Sequence, residues 1–517
     1  MTSIEQNPQA LAAWHSPSSV APDPTETEEL DILIVGAGPV GLFLANECAR
    51  RGLRWRLIEA RSSQSAHSKA LAIFSRTLEI LDMAGVVEPF LAEANRVTSV
   101  AVMAHARALA HIHFAPEDTP YPFIAMVPQN VTEALLVKEL QRKGGSVEYD
   151  TKFVSAEQRD DYVDVTSDKM GAIATLRASF VVGCDGAHSV VRHVLNVPLE
   201  GGEYLPLFLL ADVETNEMPA DVLQLCPSEF GPLAIFPIHA TRQRIVATIE
   251  RAEGEAPSLE LVQRIIAQRA PSGVEARALA WSSYFRIHHR HAAQLRAGRI
   301  FIAGDAAHIH SPFGGQGMNT GLHDVWNLIW KLDLSLRGHG NPTLLDSYAA
   351  ERLPVIKAVI ETTDRLTKVM GTPNKVAQAL RDTLIPLVTR LAPFQRAFVQ
   401  RLSELAISYR GSPIVEGPAK RYFDDSIRGG AGIGSRFLLM IDDAQNSAVK
   451  DAAMRLCGSF RELLELRSTK RPGITLVRPD GYIAYSAERG EELAALETVR
   501  SLLERQTEPG GVSASRG

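Results

Sequence analysis

The apolar positions of this chain change period several times, and each change marks an element. Residues 30–35 (LDILIV) form an unbroken apolar run, the pattern of a strand buried on both faces. After six residues, LFLANECARRG places its apolar positions at helical spacing, and residues 53–59 (LRWRLIE) return to a strand pattern. Strand, helix and strand at this size predict a βαβ unit.

Further along, residues 99–114 and 121–127 alternate as antiparallel strands do. Residues 129–143 are amphipathic and helical. Short strands are predicted at 146–150, 153–158, 162–167 and 172–178, then a buried strand at 180–183. Strand patterns at 207–214, 222–227, 233–237 and 244–249 follow with no helix between them, which predicts an antiparallel sheet in a separate lobe. A helix at 259–268 and a strand around 281–288 lead to a further apolar strand at 300–303. Residues 344–364 and 373–409 read as largely helical. A strand at 436–441, a helix, strands at 474–477 and 482–485, and a helix at 491–505 predict a small C-terminal α/β domain.

The domain reading is a tail at 1–29 and a Rossmann-like domain at 30–370, in segments 30–99, 128–204 and 282–370. The lobe, 100–127 and 205–281, is inserted in it. A helical connector at 371–430 leads to the C-terminal domain at 431–508.

Composition narrows the class. Hydrophobic content of 45% and a net charge of −6 suit a globular protein and disfavour nucleic acid as a partner. The four cysteines are far apart, with no C-x-x-C pair, and read as reduced thiols of a cytoplasmic protein. No run of 18 apolar residues predicts a membrane span. The first 29 residues lack a basic region before an apolar core and read as a disordered tail.

The chemistry starts at the first βα turn, Gly36-Ala37-Gly38-Pro39-Val40-Gly41. A G-x-G-x-x-G between strand and helix lets Gly36 turn tightly, Gly38 admit a pyrophosphate and Gly41 pack helix on strand. The helix start adds about half a positive charge toward the phosphates. Glu59 ends the second strand where a ribose-binding acid is expected. A second run, Gly183-Cys184-Asp185-Gly186-Ala187-His188-Ser189-Val190-Val191-Arg192, also follows a strand; read alone, a strand-end turn with a helix cap at Ser189 is its lesser alternative.

The third run is the most informative: RIFIAGDAAHIHSPFGGQGMNTGLHDVWNLIWKL at 299–332. Asp305 follows a strand and Gly304, which places its carboxylate at the carboxyl end of a sheet, where ligands bind in doubly wound folds. Gly314, Gly315 and Gly317 let backbone amides approach a flat ring, and a helix start at Gly317-Met318-Asn319 would favour negative charge there.

These three motifs, in this order, resemble the single-component FAD-dependent aromatic hydroxylases typified by para-hydroxybenzoate hydroxylase and phenol hydroxylase. The resemblance covers roughly residues 30–370 and continues through Asp324, Asn327, Leu328, Lys331, Glu351 and Arg352. It implies an α/β fold with a Rossmann-like FAD-binding domain, a mixed/antiparallel substrate lobe and, less specifically, a thioredoxin-like C-terminal domain resting on residues 476–482. It implies that Gly36, Gly38, Pro39, Val40 and Gly41 hold the ADP half of FAD, with Glu59, Ala60 and Arg61 at the adenosine ribose. Gln129 would contact the ribityl or pyrophosphate portion, and Gly304 and Asp305 the ribityl–pyrophosphate region. Gly315, Gly317, Met318 and Asn319 would line the isoalloxazine, with Pro312 at the reacting face as the catalytic contact. Asp185, Gly186 and Arg192 belong to the motif implicated in both FAD and NAD(P)H binding. Where the family often has arginine, this chain offers Lys69 or Arg76.

The implied reaction takes electrons from NADPH or NADH and uses O2, through a flavin C4a-hydroperoxide, to hydroxylate an aromatic small molecule. A phenol, a larger polyketide and a quinolone-like ring are all compatible. The alternatives are a flavoprotein dehydrogenase or oxidase of the same fold, or an FAD-bound regulatory protein. Cys457 is the lone cysteine of the C-terminal part, so thiol exchange is disfavoured there, leaving packing or a homodimer contact as its use. No metal is expected: His288, His289 and His291 alternate on a strand, and neither they nor His308 and His310 are completed by a carboxylate or cysteine.

Overall fold

The computed structural model describes residues 29–507, apart from 66–67, 105–106, 204–206, 287, 312–313, 372–373 and 431. The central sheet is built around β1 (Glu29–Val35), which feeds α1 (Pro39–Arg51) and then β2 (Trp55–Ile58) beside it in parallel. On its other side β1 pairs in parallel with β3 (Ala172–Gly183), and β3 pairs in parallel with β4 (Ile300–Ile302). The strand order is therefore β4-β3-β1-β2. The chain leaves β1 toward β2 and later returns on the opposite side, so the carboxyl end of β1 is a topological switch point, where an open crevice forms.

β3 corrects a detail of the pattern reading, which split it at residue 179. Its first half pairs antiparallel with Val163–Lys169 and its second half runs parallel to β1, so one 12-residue strand serves two partnerships. The apolar run near 121–127 is also shorter than its pattern. Only Ile124–Met126 is a strand, and it joins Ala72–Ile73 and Asn95–Val97 in a separate three-stranded sheet.

α2 (Gly317–Leu336) and α3 (Pro342–Met370) follow β4. α2 is buried nearly all round, and the polar residues it encloses, Asn319, Asp324, Asn327 and Lys331 among them, are hydrogen-bonded. Trp326 stacks on Phe43 of α1 with ring centroids 6.1 Å apart, and Trp330 meets Phe437 of the C-terminal unit edge-on.

The lobe is a seven-stranded, mostly antiparallel sheet in the order Ala276–Phe285, Leu207–Thr215, Arg242–Ile249, Leu233–His239, Val222–Cys226, Ser99–Ala104, Arg107–His113. Alternation gives it two apolar faces. Leu209, Ala211, Ile245 and Ala247 pack beneath the helix Leu259–Arg269. Leu210, Phe236 and Val246 point the other way, toward the switch point.

The C-terminal unit has strand order Leu464–Thr469, Phe437–Asp442, Ile474–Val477, Ile483–Ala487, with the first pair parallel and the others antiparallel. Helices Ser447–Ser459 and Glu492–Gln506 complete it. It docks through Arg478, fully buried, which donates to both oxygens of Glu351 on α3 and to Asp480. Lys331 of α2 donates to the same Glu351 at 2.8 Å. Among the described residues no helix is long and apolar enough to cross a membrane.

Candidate active site

At the switch point lies a continuous cleft of about 1450 Å³. That exceeds the roughly 300–1,000 Å³ of pockets for drug-sized ligands. Its floor is made by three loops that follow β1, β3 and β4, and its roof by the lobe.

The first loop is held by its glycines. Gly36 has φ +101°, a left-handed conformation, and a Cβ there would lie 2.5 Å from the Cys184 carbonyl oxygen. Its N–H donates to the Ile58 carbonyl at 2.8 Å, tying β1 to β2. A Cβ at Gly41 would stand 1.9 Å from the Gly36 oxygen, so Gly41 is needed for packing and does not line the cleft. A Cβ at Gly38 would meet nothing within 4 Å. Gly38 is also the N-cap of α1, with no side chain capping the helix and Pro39 in its first turn. The first amides of α1 therefore open onto the cleft beside Gly38, Pro39 and Val40.

Glu59 directly follows β2 and is buried. Burial pushes its pKa up, but hydrogen bonds from Arg61 and from the Ala37 amide (2.8 Å) outweigh this and hold it low. Ala60 and Arg61 line the cleft beside it. Gln129 accepts from the Ala70 amide at 3.1 Å and donates to Glu133 at 2.9 Å.

The second loop answers the ambiguity in its sequence. Asp185 accepts from Ser189 Oγ at 2.5 Å and from the amides of Val190 and Val191, and Ser189 caps the short helix Val190–Val194. Asp185 and Gly186 line the cleft, but the carboxylate is occupied by its own loop. Arg192 donates to the carbonyls of Ala187 and Ala306, clamping the second loop onto the third.

In the third loop Asp305 sits in a single 3-10 turn after β4, with Gly304 at φ +59° packed against Val40. The Asp305 carboxyl is open to the cleft yet walled by protein; that crowding raises its pKa, against the pull of His308 and Lys69. The loop is anchored from behind by Asp324, which accepts from the Gly304 amide (3.1 Å), from Arg352 (2.7 Å) and meets His308 Nε2 at 2.7 Å. Burial raises the Asp324 pKa, but Arg352 and His308 bring it down to about 2. His308 is thus a brace for the loop. Gly315, Gly317 and Met318 line the cleft at the N-terminus of α2, which no side chain caps. Asn319 lies beneath it, fully buried, receiving the Phe74 amide and donating to the carbonyls of Ala72 and Gly315. Pro312 lies outside the described residues.

Lys69 lines the cleft; Arg76 does not. Arg76 is fully buried, paired with Glu79 at 3.0 Å, donating to the Asp480 carbonyl and lying over the Tyr482 ring. Enclosed by Glu79, the Asp480 carbonyl and the Tyr482 ring, Arg76 does not reach the cleft, so of the two candidates only Lys69 is in place.

Residues absent from the motif reading complete the site. Arg244 forms a two-point pair with Asp212, its cross-strand neighbour in the lobe, and donates to Ser68 Oγ and the carbonyls of Lys69 and Ala70. It is the link between lobe and cofactor-side loop. Its signal was an arginine heading the apolar run of a strand (RIVATI) with an aspartate in the neighbouring one. His310 is held by its Nδ1–H to the Ser311 carbonyl, leaving Nε2 without a partner; burial pushes its pKa down to about 4, so the ring is neutral. Leu210, Phe236, Val246 and Phe285 form an apolar wall above it.

This geometry agrees with comparison to known proteins. The family model described as "FAD binding domain" matches residues 29–363. The chain is 31% identical to 6-methylpretetramide 4-monooxygenase of Streptomyces rimosus, across 95% of this chain and 98% of that protein. It is 28% identical to pentachlorophenol 4-monooxygenase of Sphingobium chlorophenolicum, across 75% of this chain and 72% of that one. Among solved structures, the anhydrotetracycline hydroxylase OxyS of Streptomyces rimosus aligns with a TM-score of 0.77 at 27% identity, covering 94% of this chain and 100% of that one.

Proposed function

The chain belongs to the FAD-dependent aromatic hydroxylase family, and on that premise we propose how its cleft divides the work of an FAD-dependent aromatic monooxygenase. The residues present fit FAD. The Gly38 position leaves room for a phosphate beside uncapped amides, and Asp305 opens to the cleft with no hydrogen-bonded partner of its own among the described residues.

In our reading Gly36, Gly38, Pro39 and Val40 receive the pyrophosphate, and Glu59, Ala60 and Arg61 the adenosine ribose. Gln129, Lys69 and Asp305 orient the linking chain. Gly315, Gly317 and Met318 support the ring. Asp185 and Arg192 act by fixing the loops rather than by touching the cofactor. Bound FAD supplies hydride acceptance from NADPH or NADH and activation of O2. The protein's part is to hold the aromatic substrate against the apolar wall of Leu210, Phe236, Val246 and Phe285 and to keep water from it.

We read the substrate as polycyclic or phenolic. The observation that carries this is the continuity of the cleft, in which the glycine-lined floor and the apolar wall share one space. The C-terminal unit is read as a thioredoxin-like fold from its strand order. Its role is packing or a homodimer contact, since burial pushes the Cys457 thiol up to about 11 and suits it poorly to exchange. Four free cysteines accord with a cytoplasmic setting.

The test is a screen of the purified yellow holoprotein against phenols and polycyclic phenols, recording stimulated NADPH or NADH consumption and product mass under labelled dioxygen. Stimulation with gain of one labelled oxygen supports the reading. If no polycyclic or phenolic compound stimulates turnover or gains oxygen, the substrate assignment fails.

A further inference from the structure

The segment after α3 turns an uncharged face to solvent. It consists of α4 (Lys375–Val388) and α5 (Ala392–Leu402). Val376, Leu380, Leu384 and Leu387 of α4 are 78%, 57%, 42% and 62% exposed. At about 100° per residue they fall within an arc of about 80°, a single stripe along the helix. Ala379 and Thr383 are exposed beside them, and the Thr383 hydroxyl donates back to the Ala379 carbonyl at 2.8 Å. Leu391 and Phe394, also exposed, carry the apolar run into the start of α5.

The polarity of α4 is reversed. Its arginine is the buried one: Arg381 pairs with Asp382 at 2.8 Å and donates to the Met370 carbonyl. Ile385 of α4, with Phe398 and Leu402 of α5, packs against the lobe core. Phe398 and Leu402 also wall a small apolar pocket that shares Phe236 with the cleft. The inner sides of both helices are therefore committed, and the outer stripe is not.

Around the stripe the charge is basic. Residues 376–402 hold four arginines and one aspartate, in a chain of net charge −6. Beyond Arg381, the arginines are Arg390, Arg396 and Arg401. All three are exposed, and none forms an ion pair or side-chain hydrogen bond with another described residue.

Six large apolar side chains gathered in one segment mark an interaction surface rather than scattered exposure. A second copy of this chain matches it poorly. A stable pair of proteins needs about 20–30 residues a side, and the segment's single carboxylate, Asp382, is already paired. A bilayer containing anionic lipid supplies hydrocarbon for the leucines and phosphates for the guanidiniums in one plane. We propose that α4 and α5 dock this protein on an anionic bilayer surface. Val376, Leu380, Leu384 and Leu387 enter the boundary between headgroups and acyl chains, and Arg390, Arg396 and Arg401 meet lipid phosphates. The protein lies on the membrane by this face without spanning it. Docked this way, the pocket behind α5 faces the bilayer across one helix. The docking itself is independent of the hydroxylase chemistry.

The experiment is flotation of the holoprotein with two kinds of vesicle, phosphatidylcholine alone and phosphatidylcholine with about one third phosphatidylglycerol. The expected result is binding to the anionic vesicles at least about tenfold tighter than to the neutral ones, weakening as salt is raised. Leu380→Gln with Leu387→Gln should lower that binding at least about tenfold, and Arg390→Gln with Arg396→Gln about thirtyfold, in proteins that keep their flavin content and melting temperature. Failure to bind anionic vesicles, or binding that both pairs of substitutions leave within about twofold of wild type, overturns the proposal. So does a dimer in light scattering that Leu380→Gln with Leu387→Gln dissolves, since a second copy then covers the face. No substrate or electron donor enters the measurement. A protein that floats with anionic vesicles yet hydroxylates nothing upholds the docking and counts against the hydroxylase reading alone.

Discussion

Glu404 carries a large and measurable penalty. It is 2% exposed, adopts φ +63°, and among the described residues neither carboxyl oxygen accepts a hydrogen bond of good geometry. His323 Nε2 is 3.4 Å away, but burial, with Arg352 and Arg76 nearby, keeps that imidazole neutral, so it offers no counter-charge. Burial pushes the Glu404 pKa up to about 8, with Arg352 and Thr77 pulling it back only in part. An unfolded glutamate titrates near 4.3, so the native state holds a proton that the unfolded state releases. Because the folded value is the higher one, the group's contribution is fully present below about pH 4 and is lost as pH rises through about 8.

At about 1.4 kcal/mol per pH unit, roughly 3.7 kcal/mol is forfeited by pH 7 against roughly 1 kcal/mol at pH 5. Glu404→Gln keeps the shape and removes the titration. Its stability relative to wild type should therefore climb by about 2.7 kcal/mol between pH 5 and pH 7, read as the shift in urea midpoint at each pH. A constant offset across that range, or an offset that shrinks as pH rises, would show that Glu404 is ionised in the folded protein and refute the reasoning.

Three other outcomes follow from the site. Gly36→Ala forces a Cβ to 2.5 Å from the Cys184 oxygen at φ +101°; a loss of about 2–4 kcal/mol in stability and colourless protein are expected, checked by melting and flavin absorbance. Arg244→Met leaves Asp212 buried and unpaired, at a cost of about 3–5 kcal/mol, and loosens residues 68–70, so flavin affinity measured by fluorescence should also fall. Adding Asp212→Asn should recover much of the stability and little of the affinity. Asp305→Ala should weaken FAD at least about tenfold while Asp305→Asn, which keeps an acceptor, falls between; equal flavin retention in all three proteins would remove Asp305 from the site.

The floor of the cleft was legible because each loop is written locally. A glycine demanded by a φ of +101° at position 36, and an acid directly after β4, are properties of a few consecutive residues. The outcome differed where function depends on what approaches from far along the chain. Asp185 and Arg192 sit in a motif, yet their side chains close on Ser189, Ala187 and Ala306, and nothing in the ten-residue run distinguishes a ligand from a cap. Arg76 and Lys69 were equal candidates until the C-terminal unit brought the Asp480 carbonyl and Tyr482 to Arg76. Arg244 was missed because its partners lie on the neighbouring strand and about 175 residues upstream, separations no local pattern reports. Residues 464–469 escaped the strand reading because their side chains are mostly only partly buried at the edge of a sheet, which blurs alternation.

The way Arg478 enters the FAD-binding domain has an evolutionary corollary. Glu351 faces Arg478 and Lys331 together, with Asn327 and the hydroxyl of Ser412 also donating to it. Removing residues 431–507 would strip a guanidinium from a fully enclosed carboxylate and expose Trp330. A tail so inserted is not cargo that a lineage can shed and regain. The internal charges of α2 and α3 depend on it, so any change at Arg478 or Asp480 strips Glu351 or Arg478 of a buried partner, whereas no such link ties the outer surface of that domain to the core.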